Sequence, residues 1–431
     1  MAFEMTRADI PALALGASVL ACGGGGNPYY GQLIARQLMA DGDAVPVIDV
    51  DEMAPEKVAI FTALMGAPLV GIEKPPSLRA LRAGFDAVQR SLGDRIGAFV
   101  SVEVGGAQSM LPLMLAALTG RPLLDGDGMG RAFPEAQMCT FLLYGFSPGL
   151  PCACSDDHGL LWRLPRLPIG GIGGVSRAGR VVGVALERVF RRYCARKGGW
   201  IHFTVTIDRP SLQRTLVRGS VRLALDIGRA VESARAGGDD PVEALLRVAG
   251  GKLLFRGKIV DVERRFRTGH DWGTLRIEGL DEDRGRRAEI AFKNEYLILR
   301  VDEQTVLTVP DLITAVETHT GTPITTEVVR PGLRVSILGL RSTHTLDDIA
   351  RALFEGLSLE LRTGVDTLSE LTGDPYPEMK YIGGGSRNPL WIQMKADVLA
   401  RRVCVNTLQE NTSHGAALLA GIGSGGVPRY G

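Results

Sequence analysis

Along residues 1–245, short apolar runs alternate with apolar positions spaced at helical period. Thr6-Arg7-Ala8-Asp9 resembles a capping box and opens a helix that runs into residues 23–26. Runs at 45–50, 58–64 and 96–102 predict strands, with a shorter one at 122–125. Helical spacing predicts helices over 30–39, 77–92, 110–118 and 186–196. A long helix is expected over 211–236, stopped by Gly237-Gly238. This alternation is the mark of an α/β layer fold, here a three-layer one.

The pattern changes after Gly250-Gly251. Segments 253–262, 274–278, 289–292, 296–301, 306–309 and 333–338 are short and β-type, separated by polar turns, which implies a compact antiparallel barrel or sandwich. It changes again near Arg341. One amphipathic helix is expected over 346–371, then a strand at 379–382 that runs into Gly383, Gly384, Gly385 and Ser386. A helix over 391–399, a strand at 403–405 and a helix beginning at 414–420 follow. The expected domains are therefore 1–245, 246–340 and 341–431. No internal repeat or low-complexity stretch is present.

Composition narrows the functional classes. With 431 residues, 45% hydrophobic and 23% charged, the chain is that of a folded protein. Its net charge of +1 offers no global field for nucleic acid or an anionic membrane, so neither is an expected partner. The first ten residues carry Glu4 and Asp9 and no basic stretch before an apolar core, unlike a secretory leader. No apolar run approaches the ~20 residues that span a bilayer. Six cysteines in this length are not a disulfide framework, so a cytoplasmic protein with reduced thiols is expected. The outlier is glycine, 55 residues in clusters, which marks backbone that turns tightly or approaches a ligand.

Those clusters locate the candidate chemistry. Cys22-Gly23-Gly24-Gly25-Gly26-Asn27 precedes a helix, and the amides of Gly24, Gly25, Gly26 and Asn27 could line a concavity for an anion or carbonyl oxygen. The spacing is not that of a dinucleotide fingerprint. Glu103-Val104-Gly105-Gly106 and Asp125-Gly126-Asp127-Gly128-Met129-Gly130-Arg131-Ala132-Phe133-Pro134-Glu135 each follow a strand, placing carboxylates at strand carboxyl ends where open α/β sheets hold ligands. Glu103, Asp125, Asp127 and Glu135 are candidate acid–base groups, and Arg131 could grip a substrate carboxylate or neutralise the acids. The bland alternative is a solvated acidic turn with Asp127 capping the next helix. Cys152, Cys154, Asp156, Asp157 and His158 form a dense run of potential ligands; a divalent metal would draw on Asp125, Asp127, Asp156 and His158, but a hydrogen-bonded surface turn explains the run equally well. Cys22 and Cys139 are possible thiolates, although a free cysteine is most often an inert small hydrophobe. Asn294-Glu295 and His270 fit structural roles on strand faces and at a hairpin tip. Residues 170–174 are expected to be a flexible connection.

These strings resemble a known family. Residues 23–29, Met65-Gly66-Ala67-Pro68, 103–106, above all 125–135, then 257–264, Asn294-Glu295, Val309-Pro310-Asp311-Leu312-Ile313 and Pro323-Ile324-Thr325-Thr326-Glu327 are similar to S-methyl thiohydantoin desulfurase-like proteins. That family occurs beside hydantoinase/oxoprolinase genes. The resemblance covers about 5–339 and implies an α/β domain followed by a small β-barrel. It departs from the family at Leu160, where an Asn is usual. The activity it implies is hydrolysis of a five-membered cyclic amidine or imide, with release of a thiol or ring opening. Asp125 or Asp127 would act as base or metal ligand, and the glycine-loop amides as donors.

From about 341 the chain resembles the carboxyl-terminal part of the FGGY carbohydrate kinases, whose fold is actin-like (ribonuclease H-like). The resemblance places Gly383, Gly384, Gly385 and Ser386 against a nucleotide, so ATP would enter only through this tail. The amino-terminal half that supplies the phosphate-binding hairpin is missing, which makes a phosphotransferase the alternative reading. A third reading is a non-catalytic partner of hydantoinase/oxoprolinase subunits. A homo-oligomer is compatible with each. Half of an actin-like domain would expose apolar helix faces.

Overall fold

A computed structural model describes residues 2–66, 68–135, 138–143, 152–163, 177–267, 270–340, 346–406 and 411–426. The residues 170–174 fall outside that description. The chain divides into two compact units, Met1–Arg341 and Ser342–Gly431.

The first unit is a mixed α/β structure with two large sheets. Strands β1 (Phe3–Thr6), β2 (Ala44–Ile48), β3 (Val58–Gly66), β4 (Ile96–Ser101), β5 (Leu123–Asp127), β6 (Cys152–Ser155), β7 (Leu161–Arg163), β8 (Trp200–Asp208) and β9 (Val217–Arg218) form one sheet. Its order is β1-β2-β5-β4-β3-β8-β6-β7, with β9 added at β5. The centre, β2-β5-β4-β3, is parallel.

Both faces of that sheet are covered, which explains why β3 is apolar but for Thr62. Ile60 and Leu64 point into a core shared with the helices Ile10–Leu20, Leu78–Leu92, Met110–Thr119 and Ser220–Gly237. Their neighbours Ala59, Phe61, Ala63 and Met65 point into a second core on the other face, with Phe141, Phe190 and Leu212. A strand buried on both sides needs no polar alternation. The helix Ile10–Leu20 also meets Ser220–Gly237 without intervening side chains. A Cβ on Gly16 would stand 1.7 Å from the Ala224 carbonyl oxygen, and one on Gly228 1.8 Å from that of Ala12.

Two expectations are corrected here. The helix expected over 211–236 is interrupted: the helix Arg209–Thr215 ends, β9 pairs with β5, and Ser220–Gly237 starts anew. Gly219 takes φ 79° there, a left-handed conformation that interrupts the helix. The strand β8 was not anticipated either, because its His202, Thr204 and Thr206 mimic a solvent-facing alternation although all three are buried.

The second sheet contains β10 (Gly251–Arg267), β11 (His270–Gly279), β12 (Arg287–Lys293), β13 (Glu295–Val301), β14 (Gln304–Thr308), β15 (Leu312–Glu317) and β16 (Arg334–Leu340). Its order is β14-β13-β12-β11-β10-β16-β15, antiparallel throughout. It forms a half-barrel around Phe255, Leu275, Ile290, Phe292, Tyr296 and Ile337.

In the second unit β17 (Glu378–Tyr381) and β18 (Arg402–Val405) pair in parallel. They accompany the helices Leu346–Thr372, Pro389–Leu399 and Asn411–Gly423. Trp391 organises it: the indole N–H donates to Ser358 Oγ at 3.2 Å, and the ring meets Phe354 and Tyr381. Leu353, Leu371 and Leu419 remain 62%, 79% and 71% exposed.

Candidate functional site

The parallel strands β4 and β5 lie side by side and end together, Ser101 opposite Asp127. Their carboxyl ends deliver the two acidic glycine turns to one place. Asp127 is fully buried and its Oδ2 accepts from the backbone N–H of Val104 (2.8 Å), Gly130 (2.8 Å) and Met129 (3.2 Å). Burial raises its pKa to about 6, against the pull of those amides and the Ser220 hydroxyl. Glu103 Oε2 accepts from Phe133 N–H at 3.1 Å. Burial, then the neighbouring Glu295 carboxylate, push Glu103 well above the usual carboxylate range.

The quadruple glycine stands against both turns. Gly25 and Gly26 offer their carbonyls to Ala107 N–H at 3.1 and 3.0 Å. A Cβ on Gly25 would stand 2.4 Å from the Gly105 carbonyl oxygen, so glycine is required by backbone meeting backbone. The loop is also pinned to the half-barrel: Tyr296 N–H donates to the Cys22 carbonyl at 2.8 Å, and Thr326 N–H to that of Gly23 at 2.7 Å. The three glycine clusters at 23–26, 105–106 and 126–130 thus converge.

Arg131 joins the loops to the second sheet. Its Nη1 donates to the carbonyls of Pro310 (3.0 Å) and Asp311 (2.8 Å), and its Nε to that of Ala132 (3.1 Å). Its Nη2 is buried with no hydrogen-bond partner among the described residues.

The half-barrel contributes an acid that sequence reasoning assigned to a structural face. Glu295 is buried, 3% exposed, and its carboxylate rests on Gly24. Burial pushes it up to about 8, opposed by Arg131 and by the N–H groups of its own residue and Gly25. Its Oε2 has no hydrogen-bond partner among the described residues. The placement follows from Asn294, whose φ of 58° turns the chain sharply. Asn294 Oδ1 accepts from Asp271 N–H at 2.9 Å, and Thr326 Oγ1 donates to the Asn294 carbonyl at 2.5 Å. Beyond it lie Asp271, paired with Arg264 at 3.2 Å, and Glu327, which burial pushes up to about 7. The only signal for this group was polar residues in segments that otherwise face inward.

The remaining candidates are placed elsewhere or otherwise engaged. Asp125 Oδ1 accepts from Arg222 N–H at 3.0 Å, serving the amino end of the helix Ser220–Gly237. Asn27 Oδ1 accepts from Tyr29 N–H at 2.9 Å at the start of the helix Tyr29–Leu38. Glu135 is ion-paired with Lys293, which outweighs burial and lowers its pKa. Asp156 accepts from His158 N–H (3.1 Å) and Leu160 N–H (2.9 Å) and pairs with Lys197 (3.1 Å), the bonding of a closed turn. Among the described residues no group of three or more His, Cys, Asp or Glu stands ready to hold a metal. None of the six cysteines forms a disulfide, and burial raises the Cys22 thiol pKa. His270 is buried, with Nε2 3.2 Å from the Pro134 carbonyl oxygen. In the second unit, Gly383 has φ 93°, and Ser386 Oγ donates to its carbonyl at 2.7 Å.

Residues 8–164 match the S-Me-THD-like N-terminal domain and residues 182–353 the S-Me-THD-like C-terminal domain, together more than half of the chain. The chain belongs to the S-Me-THD-like family over this region, and its residues 322–424 match the C-terminal domain of the FGGY family of carbohydrate kinases. Both resemblances are thereby borne out. The two matches overlap at 322–353, and the boundary between the compact units falls inside that overlap. A crystal structure of a protein from Chromobacterium violaceum shares the fold, with a TM-score of 0.64, 24% identity, and coverage of 86% of this chain and 97% of that one. The tail is 33% identical over 93 residues to a xylulose kinase of Bacillus subtilis, covering 22% of this chain and 18% of the kinase. It is 37% identical over 94 residues to a glycerol kinase of Gloeobacter violaceus, covering 22% and 19%. The chain spans less than a fifth of the length of these kinases. No described helix is long and apolar enough to cross a membrane.

Proposed function

We propose that the first unit is a hydrolase of a small five-membered cyclic amidine or imide, an S-methyl thiohydantoin or a hydantoin-like ring, releasing a thiol or opening the ring. The carrying observation is that Arg131 Nη2 and Glu295 Oε2, the latter's carboxylate against Gly24, are buried without hydrogen-bond partners among the described residues. An unpaired buried polar atom costs about 1–3 kcal/mol, so a ligand with both an acceptor and a donor relieves two such costs at once. A cyclic amide offers a carbonyl oxygen beside a ring N–H, and a cyclic amidine an acceptor nitrogen and an N–H on either side of one ring carbon. Asp127, charged at neutral pH and fixed by three amides, fits the base that activates water. Water adds to the carbon between the ring nitrogens, and in an S-methylated ring the C–S bond then breaks. Asp125, already engaged with a helix end, fits a supporting role.

The test is incubation of the full chain with an S-methyl thiohydantoin and with hydantoin, assaying thiol and ring-opened acid. Neither product, together with no thermal shift by either compound, would refute the reading. The second reading is nucleotide binding by a partial actin-like tail, favoured by the match of 322–424. A thermal shift with ATP but not with hydantoins would select it. Ligand binding without turnover, restored by added hydantoinase/oxoprolinase subunits, would select the partner-subunit reading. A cytoplasmic setting, a closed β-barrel as the family's second domain and a homo-oligomer belong to the same proposal.

A further inference from the structure

Three carboxyl groups, Glu103, Asp127 and Glu295, are buried in one region, and the guanidinium of Arg131 favours the anions of two of them, Glu103 and Glu295. The arginine is already committed: Nε and Nη1 serve three backbone carbonyls. Asp127 has three amides to itself. Glu103 has Phe133 N–H, and Glu295 keeps one oxygen unpartnered. Buried carboxylates that cannot all be compensated keep a proton instead, and closely coupled ones titrate as a unit. The proton falls to the least compensated members.

We infer that Glu103 and Glu295 hold one proton between them, and that Glu295 presents it as the general acid of the site. The inference rests on the hydrolase reading and adds to it the proton donor and the substrate's charge state, a neutral ring. In the reaction, water's oxygen bonds to the ring carbon while one water proton goes to Asp127. The S-methyl C–S bond then breaks, and the sulfur takes the proton of Glu295 and leaves as methanethiol. The remaining hydroxyl proton returns to Glu295 as the ring carbonyl forms, and the Asp127 proton passes to the ring nitrogen. Atoms and charge balance with no further reactant.

The groups facing Glu295 set its behaviour. Arg131 and then Lys293 favour its ionisation and Gly25 N–H holds its anion, while a charge on Glu295 would in turn keep Glu103 and the Cys22 thiol protonated. The bulk of burial prevails, so the acid stays protonated at neutral pH.

The experiment compares wild type with Glu295→Gln and Glu103→Gln, full chain in each case. Glu295→Gln should lower methanethiol release from an S-methyl thiohydantoin at least ~100-fold in kcat with little change in KM. With an S-(4-nitrophenyl) thiohydantoin, whose thiolate leaves unprotonated, the loss should be less than ~5-fold. Glu103→Gln should move the high-pH fall of the wild-type rate to lower pH. Equal losses on both substrates would overturn the acid role. Infrared difference spectra give a readout apart from turnover: the protonated-carboxyl absorption at neutral pH should lose a component in Glu295→Gln, with the buried Glu103 and Glu327 still contributing. Identical carboxyl absorption in wild type and Glu295→Gln overturns the shared proton whatever the activity. A wild type with the Glu295 component but no thiol release refutes the hydrolase reading, and the acid role with it, while the shared proton stands.

Discussion

The Glu295 carboxylate lies so close to Gly24 that a Cβ on the glycine would stand 2.1 Å from Oε1 and 2.5 Å from Cδ. Glycine is needed there to admit the acid, not to free a turn. Gly24→Ala should therefore displace Glu295, reduce turnover of the cyclic substrate more than ~10-fold, and cost about 1–3 kcal/mol by overpacking. Shortening the acid makes room, so Gly24→Ala/Glu295→Asp should recover part of the lost stability. Urea unfolding of the two singles and the double measures the coupling; strictly additive effects would contradict the contact.

The buried acids also predict an unusual pH dependence. Folding raises Glu295 from 4.5 to about 8, Glu327 from 4.5 to about 7 and Asp127 from 3.8 to about 6. The native state binds these protons more tightly, so stability falls as pH rises from each ordinary value through the folded one. His202 has the opposite sign: burial lowers it from 6.5 to about 3, so stability is lost as pH drops below 6.5. Asp51, held at about 2 by Arg218, acts only in stronger acid. Between about pH 6.5 and 8.5 the carboxyl groups act alone, so stability should decline across that range, and Glu295→Gln should flatten the decline. Denaturant midpoints at both ends check this, and a wild-type midpoint that rises with pH would contradict it.

Glu103 and Asp127 were legible in sequence because parallel strands end where their apolar runs end, and both runs finish in an acid-and-glycine turn. Glu295 was not. Its neighbours alternate as a charged strand face would, and the turn that buries it depends on Asn294 at φ 58°, which no periodicity reveals. The same reason hid β8, whose buried His202, Thr204 and Thr206 find their environment only in the assembled sheet. Local pattern reports local structure; burial of polar groups is decided by partners distant in sequence.

The glycine seam between the helices Ile10–Leu20 and Ser220–Gly237 gives a prediction independent of chemistry. Gly228→Ala must move backbone, since its Cβ would stand 1.8 Å from the Ala12 carbonyl oxygen. A loss of about 3 kcal/mol is expected, read as a lower urea midpoint with an unchanged slope. Gly356→Ala is the control. It lies in the helix Leu346–Thr372 with nothing near its missing Cβ, and should not destabilise the second unit. A gain at both sites would mean that helix propensity, not the seam, governs Gly228.

Arg131 is the link on which loop and half-barrel both depend, and its replacements should separate charge from geometry. Arg131→Lys keeps a cation but cannot reach the carbonyls of Ala132, Pro310 and Asp311 together, which a planar fork does. Arg131→Ala removes the charge as well, leaving the neighbouring acids uncompensated, and should cost about 3–5 kcal/mol. The lysine variant should fall between wild type and alanine in urea midpoint. Without the guanidinium the acid pair should hold its proton to higher pH, so the fall of stability with pH above neutrality should be steeper for Arg131→Ala than for Arg131→Lys. Equal midpoints and equal slopes for the two variants would show that the guanidinium acts neither as the carbonyl fork nor as the counter-charge.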